Sequence, residues 1–464
     1  MARTFDAIII GSGQAGPFLA VRLAQAGMRT AVIEREHLGG TCVNDGCIPT
    51  KTLVASARVA HLARRAADYG VVTGGEVRVD MKAVKERKDR IVQASLDSLA
   101  AWLGGTENLT LVWGSARFTG PREVEVNGET LTAPRIFINT GGRPAVPDWP
   151  GLSGVPFLTN TSMMTLDALP EHLVVAGGSY IGLEFAQMYR RFGSRVTVVE
   201  YADRLIARED PEVSDAVRGI LAAEGIDIHL GVRDIAVGKR GSGIRLTATA
   251  GGSPVGIDGS HLLLAVGRVP NTDGLNLEAP GVAVDKRGFI QVDDQLRASV
   301  EEGGAGGIWA LGDVNGRGAF THTSYNDFEI VAANLLDGDP RRVSDRITAY
   351  ALFTDPPLGR VGMTEAEVRA TGRPALKGVL PMTRVGRAKE RGETQGFMKV
   401  LVDRETRLIL GAALLCIEGD EIVHSLLDVM AAKAPYTVIQ RCVHIHPTVS
   451  ELIPTLLGSL KPLE

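Results

Sequence analysis

The chain has 464 residues, which suggests about three domains at ~150 residues each. With 44% hydrophobic and 22% charged residues it has the composition of a globular protein with a sizeable core, and a formal net charge of −4 leaves no footprint for nucleic acid or an anionic membrane surface. Four cysteines in so long a chain do not make a secreted disulfide scaffold, no stretch is long and apolar enough to span a membrane, and the N-terminus runs into Asp6 to Ile10 without the features of a signal peptide, so the cytoplasm is the expected compartment.

Residues 5–10 read as a buried strand. Gly11-Ser12-Gly13-Gln14-Ala15-Gly16 follows, then a helix with Phe18, Leu19, Val21, Leu23 and Ala24 at helical spacing, then a second strand over 30–33 that ends at Glu34. Glycines between strand and helix allow a tight turn and let a pyrophosphate approach the helix N-terminus, and an acid ending the next strand can accept hydrogen bonds from ribose hydroxyls. A glycine motif alone is also found in ordinary tight turns; here strand, helix and Glu34 stand at the offsets of a dinucleotide site.

Residues 39–52, Gly-Gly-Thr-Cys-Val-Asn-Asp-Gly-Cys-Ile-Pro-Thr-Lys-Thr, hold two of the four cysteines, Cys42 and Cys47, and lead into a helix predicted over 50–67. Thr41 is placed to cap a turn whose backbone N–H groups would stabilise a Cys42 thiolate. Five residues apart on a regular helix, two Cα atoms lie about 8–9 Å from one another, beyond the roughly 7 Å that a disulfide tolerates. A Cys42–Cys47 bridge therefore requires a distorted helix. Gly46 permits the bend, and Pro49 lacks an N–H and crowds the carbonyl of Asp45. Strained bridges are the reducible, catalytic kind. The other readings are a pair of buried thiols or two ligands of a metal site, although a closed zinc site needs about four ligands and no second cysteine pair exists to complete one.

A helix is predicted over 81–103, with Lys82, Lys85, Arg87, Lys88 and Arg90 forming a solvated basic face. Short strands follow at 109–112, 123–126 and 135–138, then the turn Asn139-Thr140-Gly141-Gly142-Arg143-Pro144. A second nucleotide unit begins at residue 173: a strand over 173–176, Gly177-Gly178-Ser179-Tyr180-Ile181-Gly182, a helix through Arg191, and a strand over 195–199 that runs to Glu200. Each acid stands 23 residues after the first glycine of its motif (34 − 11 and 200 − 177), so one binding unit is repeated and two dinucleotides are expected.

An apolar strand over 262–266 precedes Gly267-Arg268-Val269-Pro270-Asn271-Thr272, and another ends in Gly312-Asp313 before a helix that opens at Phe320-Thr321-His322. From about Tyr350 the pattern changes: a helix at 365–371 and strands at 396–402 and 408–416 suggest a mostly antiparallel sheet with helices on one side. Near the end stands His444-Ile445-His446-Pro447-Thr448-Val449-Ser450-Glu451. Pro447 suits a first helical position, which puts His446 at a helix start and Glu451 about one turn further in. A carboxylate that reaches an imidazole orients it and raises its basicity. His444 and the isolated Cys416 and Cys442 read as structural.

The stretch from Gly39 to Lys51 resembles the active-site signature of the flavin-dependent pyridine nucleotide–disulfide oxidoreductases, the family of dihydrolipoamide dehydrogenase, glutathione reductase and mercuric reductase, and the likeness covers nearly the whole chain. The resemblance implies an α/β fold with two Rossmann-like dinucleotide-binding domains and a C-terminal α+β dimerisation domain. The corresponding division is 1–150 (FAD-binding, first segment), 151–270 (NAD(P)-binding), 271–345 (FAD-binding and central segment) and 346–464 (dimerisation). It implies FAD on Gly11, Gly13, Gly16, Glu34, Gly40, Thr41, Lys51, Thr140, Gly141 and Asp313, and NADH or NADPH on Gly177, Ser179, Tyr180, Gly182 and Glu200, with the Gly267 turn among the cofactor-binding segments. Ser179 departs from the usual second glycine, as mercuric reductases do. Glu200 would accept from a free 2′-hydroxyl and repel a 2′-phosphate, which favours NADH; Arg204 and Arg208 are near enough in sequence to offset that repulsion.

Two dinucleotides beside a dithiol suit a flavin that takes a hydride from a nicotinamide on one face and passes two electrons to a disulfide on the other. The resemblance implies that Cys47 lies nearest the flavin and that Cys42 is the interchange thiol. It makes Lys51 the stabiliser of reduced flavin with Glu184 as its ion-pair partner, and Tyr180 an aromatic gate over the nicotinamide pocket. His446 with Glu451 would act as acid and base from the other subunit of a homodimer. The expected reaction carries electrons from NAD(P)H through FAD to a small or protein-bound disulfide, as in dihydrolipoamide dehydrogenase. The alternatives are reduction of a metal ion, Hg(II) or Cu(II), and a low-turnover flavoprotein redox sensor. Ser179 and the segments 320–331 and 411–416 are similar to those of mercuric reductases and bacterial metal-reducing relatives linked to oxidant resistance. Against a mercuric reductase, Gly-Ser-Leu-Lys-Pro-Leu-Glu at 458–464 contains no cysteine pair to deliver Hg(II), and a metal ion needs no proton from His446. No resident metal, nucleic acid or membrane is expected.

Overall fold

The computed structural model describes residues 2–300 and 306–463. Its first unit is β1 (Ala7–Ile10), α1 (Ala15–Gln25) and β2 (Thr30–Glu34). Then come the short helix α2 (Gly40–Asn44), α3 (Cys47–Arg64), α4 (Met81–Gly104), β3 (Leu109–Trp113) and β4 (Ile136–Ile138). The second unit holds β5 (His172–Ala176), α5 (Tyr180–Phe192), β6 (Arg195–Val199), α6 (Pro211–Ala223), β7 (Asp227–His229) and β8 (His261–Leu264). The chain then returns to the first unit with β9 (Ile308–Ala310) and α7 (Thr321–Ala332).

β1 reads Ala-Ile-Ile-Ile because it is buried on both faces and paired in parallel on both edges, where alternation has no use. The first sheet runs β9-β4-β1-β2-β3 and the second β7-β6-β5-β8, all parallel. In each, the glycine loop leaves the C-terminal end of a central strand, where neighbouring strands diverge and a crevice opens.

The last domain is a six-stranded antiparallel sheet: β10 (Ala349–Leu352), β11 (Leu358–Gly362), β12 (Ala375–Pro381), β13 (Phe397–Asp403), β14 (Ile409–Leu415) and β15 (Lys461–Pro462), in the order β10-β11-β14-β13-β12-β15. β14 is buried throughout, and Leu414 packs with Met398, Ile422, Leu426 and Leu456.

Ten of the thirteen residues of α5 are buried, so it lies between layers rather than on a surface. Its Leu183 and Ala186 share one core with Leu53 and Ala57 of α3 and with Leu352, Leu358 and Leu415 of the C-terminal sheet. The helix that follows the dithiol is thus wedged where all three domains meet.

Two local expectations are corrected. The helix predicted over 50–67 starts at Cys47 and ends at Arg64, with a separate turn at Ala66–Tyr69. The basic face of α4 is not wholly solvated: Lys88 is buried and its Nζ donates to Met164 O at 2.9 Å, while Arg87 donates to Thr52 O at 3.0 Å. Both cations meet backbone acceptors of other segments, which no helical periodicity reveals.

Candidate active site

The first glycine loop sits where α1 begins. A Cβ on Gly16 would lie 2.4 Å from Gly11 O, so only glycine lets the helix pack this closely on the turn. Asn139 Nδ2 donates to Gly11 O and Gly13 O (3.2 and 3.0 Å), fastening the loop to the end of β4. No side chain caps α1; Gly16 N is taken by Gly13 O and Pro17 has no N–H, and the rest of this helix end is left open to an anion such as a pyrophosphate. Glu34 is buried; one carboxylate oxygen accepts from Ser12 N (3.0 Å) and Ser12 Oγ (2.6 Å), the other from Glu36 N (2.9 Å). A carboxylate offers about four lone-pair sites, which leaves capacity for a ribose hydroxyl. These residues fit a dinucleotide.

The second loop repeats this construction. A Cβ on Gly182 would meet Gly177 O at 2.0 Å, and no side chain caps α5. Glu200 accepts from Gly178 N with one oxygen and from Ala202 N, at 2.7 Å, with the other. Both acids thus bind the amide just after the first glycine and the amide two residues beyond themselves. Ser179 is exposed with φ −111°, a backbone that any residue adopts, so serine costs nothing in conformation there.

Cys42 lies in α2 and Cys47 opens α3, and the predicted break falls between them at Gly46 (φ −121°, ψ −119°). A Cβ on Gly46 would stand 2.7 Å from Thr41 O. Thr41 does not cap the turn: α2 begins at Gly40 behind a left-handed Gly39, and Thr41 lies inside it. Gly40 backs onto the first loop, since a Cβ there would meet Gly13 Cα at 2.8 Å, and Gly39 N donates to Ser12 Oγ at 3.2 Å. The dithiol and the first dinucleotide site are therefore adjacent.

Both thiols are free and half-buried. The hydrogen bond from Cys42 brings Cys47 down to about 6, against the cost of burial and with help from Thr321 and the nearby Lys51 cation. The same bond, then burial, pushes the Cys42 thiol up. Negative charge on the pair is thereby favoured on Cys47, beside Thr321 and Lys51. Thr321 Oγ1, at the first residue of α7, lies 3.1 Å from Cys47 Sγ.

Lys51, one turn into α3, pairs with Glu184 of α5 at 2.8 Å, as expected, and lies 4.4 Å from the centre of the Phe353 ring. Glu184 is buried, and its other oxygen accepts from Phe353 N at 3.1 Å. Tyr180 leads α5 and donates to Glu209 at 3.3 Å.

The two crossings between units are tied together. Thr140 Oγ1 donates to Asn271 O (2.8 Å), Asn271 Nδ2 to Thr140 O (2.9 Å), and Asn271 N to Gly141 O (3.0 Å). Gly267, left-handed at φ +136°, leads into Arg268, whose Nε stands 3.7 Å from Asp313. Burial pushes the Asp313 carboxyl above its ordinary range. Its turn is held by Asp327 of α7, which accepts from Gly312 N (2.8 Å) and Asn315 Nδ2 (3.0 Å).

His446 Nδ1 lies 3.0 Å from both oxygens of Glu451. The imidazole is 80% exposed, and among the described residues its hydrogen-bond partner is Glu451, not a cysteine of the same chain. The expected helix start is corrected: Pro447 follows a cis peptide, and the helical turns begin at Ser450–Leu452 and Ile453–Leu457. The dyad is closed instead by Thr448 Oγ1, which donates to Ile445 O (2.8 Å) and accepts from Glu451 N (3.2 Å). Cys442 is exposed and His444 half-buried, while Cys416 is fully buried. No group of three or more metal-ligating side chains occurs among the described residues, and none of their helices is long and apolar enough to cross a membrane.

Sequence reasoning missed Thr321, Asn139, Asp327, Arg268 and Glu209 as parts of this site. Thr321 and Arg268 stand inside motifs that were singled out, but Thr321 meets Cys47, more than two hundred residues away, and Arg268 meets Asp313 of another turn. For the others only the fold brings the contact about.

The family model for pyridine nucleotide-disulphide oxidoreductases matches residues 5–327, and the model for the dimerisation domain of the same family matches residues 348–457. The chain is 36% identical over 465 residues to a probable pyridine nucleotide-disulfide oxidoreductase, RclA, of Escherichia coli, covering 98% of this chain and 99% of that one. It is 34% identical to the dihydrolipoyl dehydrogenase of Thermus scotoductus, covering 97% and 96%. A solved structure described as the Cu(II) complex of the HOCl-induced flavoprotein disulfide reductase RclA from Escherichia coli superposes with a TM-score of 0.88 at 35% identity, covering 99% of both chains.

Proposed function

The chain belongs to the pyridine nucleotide-disulphide oxidoreductases, FAD-dependent enzymes that draw electrons from a reduced pyridine nucleotide, and we propose that within this family it is an NADH-dependent disulfide reductase working as a homodimer through Cys42 and Cys47. What supports this reading is the Cys42–Cys47 pair set across the Gly46 break beside the first glycine loop, with Thr321 Oγ1 3.1 Å from Cys47, together with an exposed His446 imidazole whose hydrogen-bond partner among the described residues is Glu451 and not a cysteine.

The first loop, Glu34, Asn139, Gly40 and the Asp313 turn would hold FAD; the second loop and Glu200 would hold the nicotinamide nucleotide. FAD, when bound, carries two electrons between the nicotinamide and the Cys42–Cys47 disulfide. Glu200, pinned by two amides at the end of β6, presents an acceptor to a 2′-hydroxyl and a negative charge to a 2′-phosphate, which supports NADH. Lys51, oriented by Glu184, places a cation near the Cys47 thiolate.

In the reduced enzyme His446 of the partner subunit, steadied by Glu451, removes the proton from Cys42. The Cys42 thiolate attacks one sulfur of the substrate disulfide, forming a mixed disulfide, and the departing sulfur takes a proton from that imidazole. Cys47 then attacks Cys42, which re-forms the Cys42–Cys47 bond and expels the second sulfur as a thiolate, which takes its proton from solvent. Two electrons and two protons pass to the substrate. The cytoplasm, where thiols are kept reduced, is the setting assumed for this cycle.

A second acceptor is supported by a specific observation: the Cu(II) complex solved for the similar RclA chain. Thiolates are soft ligands suited to copper, and Cu(II) takes electrons without a proton from His446. Steady-state NADH oxidation with a panel of disulfides and with Cu(II), in wild type and His446→Gln, separates the two. General acid–base catalysis contributes typically ~10²–10⁴-fold, so His446→Gln should cost at least about 10²-fold against the best disulfide. Unchanged disulfide turnover in His446→Gln means that the dyad is structural, and reduction of a metal ion or a quinone then becomes the better reading.

A further inference from the structure

Asp45, between α2 and the Gly46 break, carries a backbone carbonyl that α3 cannot serve. In a continuous helix this carbonyl would accept from the N–H of residue 49, but residue 49 is proline and has none. Asn160 supplies the missing donor: its Nδ2 lies 3.0 Å from Asp45 O. Its neighbour Thr161 donates through Oγ1 to Oδ2 of the Asp45 carboxylate. The residue at the bend is thus held from outside by both its backbone and its side chain.

The two donors are themselves anchored. They open a short helical turn, Asn160–Met163, behind Thr159, and Asn160 is buried. Leu158, just before the turn, donates to Leu262 O at 2.7 Å and accepts from Leu264 N at 2.8 Å, which seats the segment on the edge of the second sheet at β8. Met164 O, just after the turn, accepts from Lys88 of α4. The dithiol bend is therefore fastened to a support that is fixed on both sides. Both cysteines are free thiols, yet the chain between them stays bent, with Gly46 at φ −121° and ψ −119°.

We propose that Asn160 and Thr161 are positioning residues that clasp the turn between the cysteines in its bridging shape while the thiols are reduced, and thereby set the reduction potential of the Cys42–Cys47 couple. The inference rests on the redox reading of the two cysteines. In the disulfide the covalent bond itself keeps the turn bent. In the dithiol it does not, and a segment free to approach a regular helix would carry the two Cα atoms toward about 8–9 Å, which no disulfide spans. The clasp removes that alternative from the reduced state. Its loss therefore favours the dithiol and raises the potential, toward a stronger oxidant. The same restraint keeps Cys47 within reach of Cys42 when a mixed disulfide has to be resolved.

The readout is the dithiol–disulfide equilibrium of the flavin-loaded dimer, poised without oxygen in mixtures of reduced and oxidised dithiothreitol. As the Cys42–Cys47 bond forms, two electrons and two protons pass to oxidised dithiothreitol, whose own disulfide opens to the dithiol. Acid quenching, alkylation and mass spectrometry of the peptide that carries both cysteines give the disulfide fraction. Asn160→Ala should lower the ratio of disulfide to dithiol about fivefold at a given buffer ratio, the factor for one hydrogen bond of ordinary net strength, which is a rise of about 20 mV for a two-electron couple. Thr161 is exposed, so its variants test the clasp even where Asn160→Ala fails to fold. Thr161→Val should lower the ratio about twofold, and Thr161→Ser, which keeps the hydroxyl, should match wild type. A Thr161→Val potential equal to or below that of wild type, or a folded Asn160→Ala protein with an unmoved potential, overturns the clasp. A wild-type enzyme whose Cys42 and Cys47 form no disulfide at any buffer ratio overturns the redox reading of the pair, and the clasp with it.

Discussion

Thr321→Val isolates one contribution to the chemistry of the dithiol. Valine keeps the shape of threonine and removes only the hydroxyl that lies 3.1 Å from Cys47 Sγ. A hydrogen bond to a charged group contributes ~1.5–3 kcal/mol, and one pKa unit corresponds to about 1.4 kcal/mol, so its loss should raise the Cys47 thiol by roughly one to two units. The starting value is about 6. The thiolate exists above that midpoint and is lost as pH falls through it. At pH 7 about nine-tenths of Cys47 is thiolate in wild type, and roughly a quarter would remain if the midpoint rose by about 1.5 units. The assay is a pH titration of the thiolate's ultraviolet absorbance in the reduced enzyme, taken as a difference against Cys47→Ser to remove the other cysteines. Thr321→Ser, which restores the hydroxyl, should return the midpoint toward wild type. An unmoved midpoint in Thr321→Val, or a serine variant displaced as far as the valine one, refutes the argument.

Three further outcomes follow from the geometry. Glu200→Ala removes the acceptor that faces the 2′ position and should raise KM for NADH while improving NADPH relative to it; a native enzyme that already prefers NADPH strongly would contradict the assignment. Lys51→Met leaves the buried Glu184 carboxylate with only Phe353 N and should lower stability by ~1–3 kcal/mol, discounted for the partial exposure of Lys51. Adding Glu184→Gln should recover much of that loss in a denaturant melt, and no recovery would mean the pair is not what Lys51 supports. Mixing inactive Cys47→Ser with inactive His446→Ala should restore partial activity through hybrid dimers, and its absence under demonstrated subunit exchange would rule out a site shared between subunits.

Features governed by local backbone geometry were readable in advance. The Gly11–Glu34 and Gly177–Glu200 units were visible because close packing of helix on turn excludes every side chain but hydrogen at Gly16 and Gly182. The break at Gly46 followed from the spacing of two cysteines and the reach of a disulfide. The Lys51–Glu184 pair was legible only through family likeness, since nothing local ties residues on separate helices together, whereas His446 and Glu451, five residues apart, could be paired from their own stretch. What stayed hidden depends on long-range proximity. Lys88 looked solvated until Met164 O was brought to it.

The connectivity of the first sheet also orders events during synthesis. Its edge strand β9 pairs with β4, whose first residue lies 172 positions earlier (308 − 136). At translation rates of about 5–20 residues per second, β4 leaves the ribosome roughly 9–35 s before its partner exists. The sheet of the second unit is encoded without interruption between His172 and Leu264, so all its strands are available before β9 has been made. The nascent chain can therefore close its later nucleotide fold first, while the edge of β4 stays unpaired and open to neighbouring chains or chaperones.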